Sequence, residues 1–234
     1  MKDALRRIAL AAVLITTATP SDAQDNQPGT GRFTIGGNFI TGIPTGEFAD
    51  ATDTSLGFSL VGYLNLTRFL RIRVDGGYVQ YGSETRKVCM PNCRVVFDLN
   101  TSNGIGFGSI GPELVAPAGR IRPYVNVGVG GSDFFTDSHL DGVDDEHPIG
   151  NTTNFSDGTF AVIAGGGVYI PLHLKSSSPV AIDVGFRYHR NGTVKYLREG
   201  DIRDNADGTI FFVPRQTRAD LFTVMVGMTI GIRR

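Results

Sequence analysis

The sequence predicts an all-β fold: an eight-stranded antiparallel up-and-down transmembrane β-barrel over residues 24–234, preceded by a cleaved signal peptide over residues 1–23. Three observations carry this. Beyond the first two dozen residues hydrophobicity alternates with a period of two, and no convincing period of 3.6 is present. The alternating segments are even in number and about ten residues long, as a meander needs if it is to close. In each segment one parity is apolar and free of charge while the other is polar, the pattern of a sheet with lipid on one side. Composition agrees: 31 of 234 residues are glycine, well above the roughly 7% of an average protein, and the net charge is -1. A charge so near zero leaves no footprint for nucleic acid. Two cysteines exclude a disulfide-dense mini-domain and a four-thiolate zinc site.

The leader has three parts: Lys2, Arg6 and Arg7, then the apolar run from Ile8 to Ala18, then Ser21-Asp22-Ala23 before Gln24. A basic start, a short apolar core and a small-residue cleavage site describe a secretory signal, and the run is too short to span a bilayer. Loss of three basic and two acidic side chains with it takes the net charge from -1 to -2.

Strands are predicted near 32–40, 56–64, 69–81, 95–109, 120–130, 159–170, 179–189 and 221–232. The period is clearest from Ile121 to Gly130 and from Phe222 to Ile232. Short links follow the second, fourth and sixth strands, whereas the other links are long, with loops expected over 132–158 and 190–220. Short turns at one end and long loops at the other are the habit of outer-membrane barrels, and they place both termini on the periplasmic side.

The apolar face reads Phe33, Ile35, Phe39; Leu56, Phe58, Leu60, Leu64; Leu70, Ile72, Val74, Tyr78; Phe97, Leu99, Ile105, Phe107. It continues with Ile121, Val125, Val127, Val129; Phe160, Val162, Ala164, Val168, Ile170; Ile182, Val184, Phe186, Tyr188; and alternate residues from Phe222 to Ile232. The opposite face carries Arg71, Arg73, Asp75, Asp98, Arg122, Asp183 and Arg187. Seven charges cannot form the core of a soluble barrel. A charge on the lipid face costs roughly 2–4 kcal/mol at mid-bilayer, which accounts for the clean apolar side. Closure is then required, because lipid offers no partner to an open sheet edge.

Gly37-Asn38 followed by Pro44-Thr45-Gly46-Glu47-Phe48-Ala49-Asp50 resembles the opening of the small eight-stranded outer-membrane barrel domain, the OmpA/OmpX-type family. Gly111-Pro112-Glu113, Arg122-Pro123-Tyr124, Gly128-Val129-Gly130 and Gly185-Phe186-Arg187-Tyr188 are similar to it as well. The resemblance spans essentially the whole mature chain and implies fold and location more than activity. It also implies assembly by the outer-membrane insertion machinery. Family members often finish on an aromatic residue, whereas this chain finishes Ile232-Arg233-Arg234.

Little in the sequence points to chemistry. Cys89 and Cys93, separated by Met90-Pro91-Asn92 in the second long loop, are expected to form a disulfide, since a Pro-Asn turn brings them into range in an oxidising compartment. The 132–158 segment holds Asp133, Asp137, Asp141, Asp144, Asp145, Glu146 and Asp157, with His139 and His147. Its spacing departs from the regular calcium loop and reads as a solvated run, so no metal or cofactor is assigned. The stretch Phe186 to Gly192 is loosely similar to that of lipid A deacylases, in which a histidine base stands two residues before a serine nucleophile. Here Asn191 follows His189, and a base without a nucleophile starts no acyl transfer. His189 is expected to face water at a strand end.

The reading is a non-enzymatic outer-membrane barrel acting in envelope integrity or surface contact. Its partners are membrane lipid, the insertion machinery and an unassigned surface ligand. A small-solute channel is the alternative, and a lipid-modifying enzyme the third. An eight-stranded interior is just wide enough to be filled by side chains, so the seven charged residues are expected to pair and plug it. Arg71 or Arg73 is expected to meet Asp98 on the next strand. Asp183 and Arg187 lie roughly 13 Å apart along one strand, so each needs a partner elsewhere.

Overall fold

The computed structural model describes residues 33–50, 52–89, 96–142, 148–172, 178–198, 201–204 and 210–232; the segment expected to be a signal peptide, residues 1–23, lies outside them. The strands are β1 (Phe33–Pro44), β2 (Ser55–Asn65), β3 (Leu70–Cys89), β4 (Val96–Val115), β5 (Arg122–Gly142), β6 (Pro148–Leu172), β7 (Val180–Asn191), β8 (Thr193–Tyr196), β9 (Ile202–Asp204), β10 (Ile210–Phe212), β11 (Arg215–Arg218) and β12 (Leu221–Ile232). Eight of them close a barrel in the order β1-β12-β7-β6-β5-β4-β3-β2, every neighbouring pair antiparallel. The seam is β1 on β12, in continuous register from Phe33↔Ile232 to Pro44↔Leu221.

Alternation fixes which side of each strand faces lipid. Phe39 is 83% exposed on β1 while its neighbours Asn38 and Ile40 are buried, and β12 repeats the pattern along its whole length. From Phe222 to Ile232 the outward column spans about 33 Å along the strand, or about 25 Å of height at the usual tilt, the thickness of a barrel's apolar band. No charged residue faces outward between these levels among the described residues.

The short links are tightly built. Between β2 and β3, Leu66 and Thr67 both donate backbone N–H groups to Leu70 O at 3.1 and 2.9 Å, and Thr67 Oγ1 accepts from Leu70 N at 2.9 Å. Between β4 and β5, Gly119 takes φ +120°, a value that L side chains rarely adopt. By the usual habit of outer-membrane barrels this short-turn end faces the periplasm.

The long links differ from expectation. Most of the segment expected as a 132–158 loop is strand, because β5 runs to Gly142 and β6 begins at Pro148. Cys89 is the last residue of β3, and Cys93 lies outside the described residues. Pairing of β2 with β3 stops at Leu56↔Gln80, yet β3 stays paired with β4 as far as Cys89↔Val96. Pairing of β6 with β7 stops at Ala161↔Asn191, yet β5 and β6 continue to Asp141↔Pro148. Strands β3 to β6 therefore continue past the barrel rim as a one-sided four-stranded sheet, for about 30 Å along β3 and about 43 Å along β6. The 190–220 link also holds structure, including a β8–β11 hairpin at the foot of that sheet.

Strand β4 corrects the sequence reading. Ile105 and Phe107, expected on the lipid face, are buried inside, and Gly106, Gly108, Ile110, Pro112 and Leu114 occupy the outward parity. The upper lumen is itself apolar, so the more apolar parity of β4 is its inner one.

Candidate functional site: the lumen and its extracellular cap

The lower half of the lumen is a polar cluster centred on Glu113, which is 0% exposed. The register sets Arg71 of β3 directly opposite Glu113 of β4, with Arg73 two residues further along the same inward face. Arg71 donates to Glu113 Oε1 through Nε at 2.7 Å and through Nη2. Arg73 Nη1 donates to Glu113 Oε2 at 3.1 Å and to the Tyr63 hydroxyl at 2.9 Å. Tyr169 donates to Glu113 Oε1 at 3.2 Å, and the hydroxyls of Tyr63 and Tyr169 lie 2.8 Å apart. The Arg71 guanidinium also sits over both rings, 3.9 Å from the Tyr63 centroid and 4.5 Å from that of Tyr169. Opposite charges, hydrogen-bond donors and ring faces thus meet within one buried space, where each is worth more than at an exposed surface.

A second group spans the barrel above it. Arg187 on β7 pairs with Asp75 on β3, whose other oxygen accepts from Ser109 Oγ at 2.7 Å. Arg73 Nε lies 3.6 Å from Asp75 Oδ1, which joins the two groups. Asp183 accepts from the Tyr124 hydroxyl at 2.8 Å, and the Tyr124 ring stacks on Tyr169 at 4.4 Å. Three arginines, Arg71, Arg73 and Arg187, thus share the interior with three acids, Asp75, Glu113 and Asp183.

Several expectations for individual residues change. Asp98 is placed by register against Lys87 on β3 and Asp141 on β5, in the protruding sheet and far along the strand from Arg71 and Arg73; its side chain lies outside the described residues. Glu113 takes the role expected of Asp98. Arg122 is half-buried and donates through Nε to Ala116 O at 2.7 Å in the β4–β5 turn. Asp183 accepts through Oδ1 from a phenol and not from a guanidinium, while Arg187 finds its acid across the barrel. His189 does not face water: it is buried, edge-on to Phe107 at 5.0 Å, with Nε2 3.3 Å from Thr223 Oγ1. Asn191 accepts from Ser132 Oγ at 2.9 Å and donates to Ala219 O at 2.5 Å.

The upper lumen holds an aromatic cluster that sequence reasoning did not foresee. Phe48, on the short 3-10 turn Gly46–Phe48 after β1, packs edge-on against Tyr81, Phe134 and Tyr196 with centroids 5.7, 5.8 and 5.1 Å away. A β-bulge between Gln80 and Gly82 marks where Tyr81 turns in, and its hydroxyl donates to Leu197 O at 3.0 Å. Tyr196 reaches the cluster because β8 and β11 pair as a hairpin whose buried side carries Val194 and Tyr196. The acidic residues of the protruding sheet hold its surface together: Asp133 Oδ1 accepts from Ser156 Oγ at 2.9 Å and Asp137 Oδ1 from Thr153 Oγ1 at 2.7 Å. Asp157 Oδ2 accepts from the backbone N–H of Lys195 at 2.7 Å, which ties β8 to β6.

A closed sheet, a charge-free outer belt and a polar, charge-paired interior make the chain a transmembrane β-barrel of the outer membrane. No family model matches the chain, and no curated protein matches it. Among solved structures it is similar to Neisserial surface protein A, at 13% identity over 86% of this chain and 97% of that one, with a TM-score of 0.43. It is similar to a major outer membrane protein from Thermus thermophilus, at 9% identity over 84% and 98%, with a TM-score of 0.42. Ail, the attachment invasion locus protein of Yersinia pestis, is similar at 12% identity over 86% and 97%, with a TM-score of 0.39.

Proposed function

We propose that the chain is a non-enzymatic outer-membrane protein whose barrel is a closed anchor and whose working part is the one-sided sheet of β3 to β6. The observation that carries this is the disparity in strand length. Those four strands have 20, 20, 21 and 25 residues, whereas β1, β2, β7 and β12 have 11 or 12. Spanning the membrane needs only the shorter length. The extra residues build a platform for contact outside the cell, above a lumen filled by a polar layer and an aromatic cap.

A conducting lumen is the rival reading. It is favoured by Asp183 Oδ2, Asn126 Nδ2, and Nε and Nη2 of Arg187, which are buried without a protein hydrogen-bond partner. Planar-bilayer recording separates the two: the closed anchor gives no steady, resolved conductance, and such conductance would establish the channel instead. The platform is tested by cutting the β3–β4 and β5–β6 hairpins back to the barrel rim. Cells carrying the shortened protein should lose adherence to surfaces while keeping detergent resistance. The opposite pattern would assign the protein to envelope integrity.

A further inference from the structure

The outward column of β7 reads Ile182, Val184, Phe186, Tyr188, Arg190. The first four belong to the lipid-facing belt. The fifth is an exposed guanidinium one step above it, with no ion pair or hydrogen bond among the described residues. Tyr188 stands in register with Phe222 at the top of the β12 column, so Arg190 sits just outside the hydrocarbon.

A second guanidinium is held at the same level. Asp220 Oδ2 accepts from the Tyr188 hydroxyl and from Arg218 Nη2, both at 2.9 Å, while Asp220 Oδ1 accepts from Asn191 N at 3.0 Å. One carboxylate thereby ties Arg218, whose side chain is 48% exposed, to the end of β7 and to an interfacial tyrosine. Beyond them stand Lys195, exposed on β8, and Arg198 and Arg215, which share Asp201. Among the described side chains this sector holds five cations, Arg190, Lys195, Arg198, Arg215 and Arg218, and the carboxylates Asp201 and Asp220, with Asp157 at its edge on Lys195 N. The protruding part of β3 to β5, further round the rim, carries Glu84, Asp133 and Asp137 among the described side chains, while Arg86 and Lys87 lie on its β3 with side chains outside them.

The geometry points to the β7–β12 sector of the extracellular rim as a binding site for a phosphate group of the outer-leaflet lipid, held chiefly by Arg190 and Arg218. A forked guanidinium suits phosphate oxygens. The acyl chains of the same lipid would lie along Val184, Phe186, Val224 and Val226, already exposed on the belt below. The carboxylates Glu84, Asp133 and Asp137 of the protruding sheet disfavour the same headgroup beside them. The inference rests on the transmembrane placement of the belt and is independent of whether the lumen conducts.

The test uses the full chain folded in phosphatidylcholine nanodiscs that contain a minor fraction of bis-phosphorylated lipid A. Lipid A retained per barrel is measured by mass spectrometry after exchange into detergent. Arg190→Gln should lower retention about fivefold, the equivalent of about 1 kcal/mol for one cation at an anionic membrane surface. Arg190→Gln with Arg218→Gln should lower it about 30-fold on the same basis. The Arg190→Lys, Arg218→Lys pair should keep most of the retention. Dephosphorylated lipid A should bind the unaltered protein no better than it binds the Gln pair. Equal retention by the unaltered protein and Arg190→Gln would overturn the inference, as would indifference to dephosphorylation, which would leave acyl-chain contact alone. Release of the lipid by millimolar inorganic phosphate would reassign the site to free phosphate. Arg190 makes no described contact, so the single variant stays folded by its heat-dependent gel shift and decides the matter even if the double variant does not fold.

Discussion

Glu113→Ala removes the carboxylate on which two guanidinium groups and a phenol converge. Taking one partner out of a buried ion pair costs about 3–5 kcal/mol, chiefly because the other charge is left uncompensated. Arg73 bears most of this. Its side chain is 3% exposed, and the acid that remains nearby is Asp75, at 3.6 Å and already paired with Arg187. Arg71 loses less, since its side chain is 10% exposed near the periplasmic mouth and keeps the rings of Tyr63 and Tyr169. The Tyr169 hydroxyl keeps the Tyr63 oxygen, 2.8 Å away, as an acceptor and adds little. The expected total is about 3–5 kcal/mol. Glu113→Gln keeps the shape and an acceptor oxygen, so it should cost about half as much. The chain has no tryptophan, so urea unfolding is followed by gel mobility and far-UV circular dichroism. At about 2 kcal/mol per molar urea, the midpoint should fall by roughly 2 M for Glu113→Ala. A fall below about 0.5 M would refute the reasoning. So would strict additivity of Glu113→Ala and Arg73→Ala, because residues of one buried network should couple by at least about 0.5 kcal/mol.

Two further outcomes follow from the same structure. A Cβ built at Gly227 would lie 2.1 Å from Gly37 O, whereas one at Gly62 meets nothing nearer than Val74 O at 3.9 Å. Gly227→Ala should therefore destabilise by about 1–3 kcal/mol, and Gly62→Ala should be neutral or stabilise by about 0.5–1 kcal/mol, both read from the urea midpoint. Cys89 and Cys93 should resist thiol reagents in material isolated from the envelope until a reductant is added; labelling without reduction would mean that no disulfide forms.

The sequence by itself determined the barrel and where most of its charges go. Period-two alternation leaves no freedom about which side of a strand a residue takes once one side must be apolar, and lipid imposes that condition on eight strands at once. The inward placement of Arg71, Arg73, Asp75, Asp183 and Arg187 was legible for this reason, as was the outward placement of Val125, Val127 and Val129. Partners were not legible, because alternation gives a face and not a register. Arg71 meets Glu113 and not Asp98 because β3 and β4 pair with residue 71 opposite residue 113 and residue 98 opposite residue 87, sixteen positions further along β3. The choice of the more apolar parity failed on β4 for a related reason. Its inner face passes from Glu113 in the polar layer up through Phe107 and Ile105 into the aromatic cap, so the inside is as apolar as the outside there. The acidic stretch after residue 132 looked like a loop because charges and polar residues replace the alternation once the strand leaves the bilayer. It is strand nonetheless, because β5 is hydrogen-bonded to β4 on one side and to β6 on the other, and the extended β6 to β5, so the ladder continues beyond the bilayer where the sequence pattern no longer marks it.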